Sequence, residues 1–149
     1  YVTQAYPEVN KGTANVLLVD GGHQKMGDRH HSLAYLKFRL NVPGKPVSAR
    51  LRIHNAGNPT GDSGRVCLAE GAWKETEVTY TTRPKTGKEL FAIGPVKERQ
   101  TVERELPVEL EPEGELSLVI DPTSCDGVDY SSREGANPPE LIVDYVPDE

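Results

Sequence analysis

A chain of 149 residues with a formal net charge of −6 lacks the concentrated positive charge that phosphate neutralisation demands, which argues against a nucleic-acid partner. Its hydrophobic share of 36%, with 14 glycines and 12 prolines, argues against long helices and predicts short strands between frequent turns. No apolar run reaches the roughly 18–20 residues that cross a bilayer and no signal peptide opens at Tyr1, so the expectation is one mature, soluble domain with no membrane partner.

The first strands are expected at Tyr1–Tyr6 and Ala14–Val19, the second ending in the turn Asp20-Gly-Gly22. Alternation is clearest in Ser32–Leu40, where Leu36, Phe38 and Leu40 share one face and Tyr35, Lys37 and Arg39 the other. After Pro43-Gly44, the run Val47–His54 repeats the pattern, with Ala49, Leu51 and Ile53 inward and Arg50, Arg52 and His54 outward. Further strands are predicted at Arg65–Ala69, Leu90–Ile93, Thr101–Leu106, Glu115–Ile120, Val128–Ser132 and Leu141–Tyr145, separated by Gly, Pro, Asn and Asp turns. Strands at this spacing, without amphipathic helices between them, give an all-β antiparallel two-sheet sandwich, or jelly roll. The module spans 1–145 and Val146–Glu149 reads as the start of a linker.

The chemistry suggested by this pattern is a cationic strip. If the two alternating strands are neighbours, Tyr35, Lys37, Arg39, Arg52 and His54 line one outward sheet face, and extending the phase upstream adds His31 and Arg29. Arginine grips a carboxylate bidentately, lysine adds a mobile charge and tyrosine offers an apolar ring, so the strip suits an acidic sugar chain. The alternative is a solvated face whose cations pair with Glu103 or Glu105 on another strand. Cys67 and Cys125 either form one disulfide or remain two small hydrophobes. No Gly-x-Ser-x-Gly, phosphate loop or His-Glu-x-x-His occurs, and Gly61-Asp-Ser-Gly64 is only a turn. His30-His31 diverge on a strand and lack a third zinc ligand.

Several segments in order resemble carbohydrate-binding module family 96, the DNRLRE-type β-sandwich. They are Tyr1-Val2, Asn10-Lys-Gly12, Leu17–Gly22, Ala34–Leu40, Val47–Ile53, Trp73-Lys-Glu-Thr-Glu-Val-Thr-Tyr-Thr-Thr-Arg-Pro84 and Ser131-Ser-Arg-Glu134 to Pro139. Two departures are Arg39 in place of an acid and Tyr80 where a tryptophan is common. The resemblance implies a jelly roll attached to secreted polysaccharide lyases, hydrolases or cell-surface proteins, with acidic glycans such as alginate among the ligands. Within that motif Trp73 reads as packing and strand entry rather than a sugar platform. Arg83 ties down the loop that follows it, and Arg133 and Glu134 face opposite ways on a strand as loop fasteners.

The resulting expectation is a non-catalytic module of a secreted or cell-surface protein, holding an acidic, alginate-like polysaccharide beside catalytic domains of the same parent chain. One alternative is a structural or adhesive module without a sugar site; another is a polysaccharide lyase domain using Tyr35, His54 and Arg52. No cofactor is required. Asp121, Asp126 and Asp129, with Ser124, supply the hard oxygens of a structural calcium site, although turn acids occur at such places without metal.

Overall fold

Period-two alternation lets a strand bury one face and leave the other wet, and ten such segments form the chain's strands. They are β1 (Val2–Thr3), β2 (Val16–Val19), β3 (Ser32–Asn41), β4 (Gly44–Gly57), β5 (Arg65–Glu70), β6 (Lys85–Ala92), β7 (Thr101–Glu105), β8 (Glu113–Asp121), β9 (Val128–Ser131) and β10 (Glu140–Pro147). The computed structural model describes residues 1–22, 31–57, 63–123 and 127–148, among which there is no helix.

The strands divide into two antiparallel sheets. Sheet one runs β1-β3-β8-β5-β6; sheet two runs β10-β4-β9-β2, with β7 also paired to β4. The expected sandwich is therefore present, and each expected strand region contains a strand. Three details differ. β1 keeps only Val2 and Thr3, paired with Leu33 and Ser32. β6 begins at Lys85, earlier than its apolar end suggested, because a polar strand here pairs with β5 alone. β10 runs past the expected boundary at 145, setting Val146 opposite Lys45 and Pro147 opposite Gly44.

Leu36 and Leu40 of β3, Ala49, Leu51 and Ile53 of β4, Leu116, Leu118 and Ile120 of β8 and Tyr130 of β9 fill the space between the sheets. Burying each large aliphatic side chain contributes about 1.5–3 kcal/mol. The Tyr130 hydroxyl donates to the Ser63 carbonyl at 3.2 Å, and Ser63 is itself fully buried.

A second, smaller cluster lies on the outside of sheet one. Val2, Leu33, Tyr35, Cys67 and Val119 form its floor, and Trp73 and Val78 close it from the segment 71–84. Sheet one is thus buried on both faces at its centre. The cap is held by backbone contacts: Asn10 Nδ2 donates to the carbonyls of Glu75 at 2.9 Å and Val78 at 2.7 Å. Gly12 is required beneath it, since a Cβ there would lie 2.1 Å from the Glu75 carbonyl oxygen. Arg83 donates to the Tyr80 carbonyl at 2.6 Å and its guanidinium stacks 3.9 Å from the Tyr80 ring centroid, so it fastens the end of the cap that precedes it rather than the loop that follows. Cys67 is a buried free thiol; Cys125 lies outside the described residues.

Candidate functional site

The single cationic strip does not form. β3 pairs with β1 and β8, whereas β4 pairs with β10, β7 and β9 in the other sheet. Their outward faces therefore look away from each other across the sandwich. The alternation was read correctly on both strands; adjacency was the error, because hydrogen-bonded pairing is non-local while periodicity is local.

On β4 the outward cations meet carboxylates. Arg50 lies 2.9 Å and Arg52 2.8 Å from Glu103, while Arg52 is 3.3 Å from Glu140 and Arg50 4.0 Å from Asp144. The hydrogen bond from Arg52, with the charge of Arg50, holds the Glu103 carboxyl below its usual range. His54 shares a 2.9 Å hydrogen bond with Thr101. With Glu105 opposite Arg50 as well, the face is a lattice of paired charges rather than a basic strip.

On β3 the outward residues have three different environments. Tyr35 is buried under the cap, edge-on to Trp73 with ring centroids 5.6 Å apart, and donates to the Pro84 carbonyl at 3.2 Å. Burial pushes its hydroxyl up to about 12. Lys37 places its ammonium 4.3 Å from the Trp73 ring centroid, donates to the Trp73 carbonyl, and lies 3.7 Å from Glu115. Arg39 is almost wholly exposed, 3.8 Å from the same carboxylate. Upstream, His31 shares a 2.7 Å hydrogen bond with the Tyr80 hydroxyl; burial shifts its imidazole downward. Arg29 lies outside the described residues.

Tyr35 and Lys37 do share a cavity, of about 190 Å³. β1 covers only the start of β3, and the cavity opens beyond it, where β3, β2, the Asn10–Ala14 segment, the 71–84 cap and the turn after β9 converge. Tyr35, Phe38 and Trp73 are the aromatic residues of its lining beside Tyr1, while Lys11, Lys37 and Arg133 bring cations against Glu75 and Glu134. Arg133 is 2.8 Å from Glu75 and 3.7 Å from Glu134. Lys11 has no carboxylate within ion-pair distance among the described residues; its ammonium lies 5.4 Å from the Tyr6 ring centroid. The indole N–H of Trp73 is buried without an acceptor among the described residues, a deficit that costs about 1–3 kcal/mol in a folded protein.

Arg133 and Glu134 do not sit on a strand, as expected, but on the turn that follows β9, and both line the cavity. Lys11 and Glu75 were not singled out from the sequence. The signal was nevertheless there: Asn10-Lys-Gly12, Trp73-Lys-Glu75 and Ser132-Arg-Glu134 are separate motif pieces that the fold gathers at one opening.

Asp121 is bound by Arg65 at 2.6 Å, and burial, followed by the charge of Asp20, raises the Asp129 carboxyl. Asp126 and Ser124 lie outside the described residues, and no group of three metal-ligating side chains is found among those described.

A family model described as carbohydrate-binding module family 96 matches residues 1–145. The chain belongs to that family. A comparison with curated proteins gives no match. Family 96 modules bind carbohydrate and are non-catalytic, so this chain is a binding module and not an enzyme. A sandwich whose loops and motif segments meet at an aromatic-lined cavity is a scaffold suited to that task.

Proposed function

We propose that this family 96 module binds an acidic, alginate-like polysaccharide in the cavity between β3, the 71–84 cap and the turn after β9. The observation that carries the reading is the Lys37–Trp73 pair of the lining, with Lys11 and Arg133 at the same opening. Three cations, Lys11, Lys37 and Arg133, meet at this opening in an acidic protein; Glu75, Glu134 and Glu115 lie beside the last two, which leaves Lys11 as the cation available to an acidic ligand. Lysine and arginine bind the carboxylate of a uronic acid, and the aromatic lining receives the apolar face of the ring. Lys11 sets the cavity apart from the β4 face: it has no carboxylate within ion-pair distance among the described residues, whereas Arg50 and Arg52 are both paired and an anionic chain there would meet Glu103, Glu105, Glu140 and Asp144.

This mode of recognition requires no metal or cofactor. Family membership supports a place beside catalytic domains of one parent protein, secreted or held at the cell surface.

Affinity electrophoresis of the intact chain through gels containing alginate, pectin or a neutral glucan tests the reading. Retardation by the acidic polymers is expected, with loss in a Lys11→Ala/Lys37→Met double variant and weakening as salt rises over the 8–10 Å screening range of about 0.1–0.15 M. Equal migration in every gel, or undiminished retardation of the double variant, would refute it.

A further inference from the structure

We propose that Tyr6, which Lys11 links to the cavity, is a stacking platform for a second sugar residue, so that the module reads the polysaccharide along its chain rather than only at one unit. The inference rests on the cavity reading above and extends it beyond the cavity wall.

Tyr6 is 59% exposed, one of few large hydrophobic side chains left in solvent, and Val9 beside it is 42% exposed. An exposed ring gains little from folding, yet the turn that presents it is firmly built. Tyr6 N–H donates to the Thr3 carbonyl at 3.3 Å and Val9 N–H to the Tyr6 carbonyl at 3.1 Å. Thr81 N–H donates to the Pro7 carbonyl at 3.0 Å, and the Thr81 hydroxyl donates to Glu8 at 2.7 Å. The turn is therefore fastened to the same cap that closes the cavity. A tyrosine on a fixed backbone offers broad contact area at low entropic cost, because only its own side-chain torsions need to be ordered.

Lys11 fixes the ring's relation to the cavity. Lys11 is one of the residues lining the cavity, and its ammonium lies 5.4 Å from the Tyr6 ring centroid. The platform is thus within one lysine's reach of the cavity, and that lysine carries a cation free of ion pairs among the described residues. A polymer with a carboxylate on each unit fits this alternation: one ring in the cavity, its charge or its neighbour's on Lys11, and the next ring against Tyr6. A neutral chain would leave Lys11 unanswered.

The test is titration calorimetry of the intact chain with alginate oligosaccharides from the disaccharide to the hexasaccharide, comparing wild type, Tyr6→Ala and Tyr6→Phe. Wild-type affinity should rise as the ligand outgrows the cavity. Tyr6→Ala should remove that rise, weakening the longest ligand roughly tenfold, as one lost stacking contact implies, while leaving the disaccharide unaffected. Tyr6→Phe should keep it. A length dependence preserved in Tyr6→Ala would overturn the platform and leave the cavity reading standing, as would equal weakening at every length. No binding by wild type at any length would overturn both.

Discussion

The ammonium of Lys37 sits 4.3 Å from the centre of the Trp73 ring and also donates to that residue's carbonyl. One side chain from β3 thus holds both the ring and the backbone of the cap. Replacing it by Met keeps the aliphatic stem but removes the charge and the donor. The expected cost is about 1–2 kcal/mol, from the cation–π contact and the unpaired carbonyl. Urea denaturation measures it; an unchanged midpoint would show that the ammonium contributes nothing to the cap.

Trp73→Ala should be more severe, costing about 3–5 kcal/mol as for other large aromatic truncations. The damage should stay local. Amides of 71–84 should lose hydrogen-exchange protection while those of β4 and β8 keep theirs, because the main core does not include Trp73. Uniform loss of protection would mean that cap and sandwich form one cooperative unit.

Gly12→Ala tests the fit beneath the cap. The new methyl would lie 2.1 Å from the Glu75 carbonyl oxygen, a backbone atom that cannot swing aside. Overpacking of this kind costs about 1–3 kcal/mol, and retention on acidic polymer should fall along with the melting temperature. A variant with wild-type stability and retention would show that the Asn10–Ala14 segment moves freely against the cap.

Arg52→Ala probes the face that the cavity reading sets aside. Retention on alginate should be unchanged and the melting temperature nearly so, since exposed ion pairs contribute little. Loss of retention would return the binding site to sheet two.

The pH dependence of stability should carry a His31 component. Burial lowers its folded-state pKa, Arg83 adds to this, and Asp121 and Asp20 pull the other way. The unfolded chain then takes up the proton first as pH falls through about 6.5. The contribution is therefore complete above that value and is lost on acidification towards the folded pKa. The melting temperature should fall from pH 7 to pH 5 more steeply in wild type than in His31→Phe. Parallel profiles would remove His31 from the account.

Alternation alone placed the strands, and it assigned Leu51 and Ile53 inward and Arg50 and Arg52 outward as found. What it could not supply is partnership. Lys37 and Arg52 look alike in pattern, yet one meets Trp73 and the other Glu103, because the pairing of β3 and β4 is decided by contacts distant in sequence. Tyr35 shows a second limit. A period of two predicts a wet side for an antiparallel strand only when nothing covers it, and here the 71–84 segment does. The same covering explains Trp73, whose packing role was legible, while the cavity beside it needed Lys11 and Arg133 from remote turns.

Because the cap carries its own small hydrophobic cluster and rests on the outside of a sheet already fixed from within, the two layers are free to diverge at different rates. If the proposed cavity is where the sugar is held, substitutions among cap and rim residues change the ligand while the packing between the sheets stays as it is. The module is in this sense a stable platform bearing an exchangeable reading head.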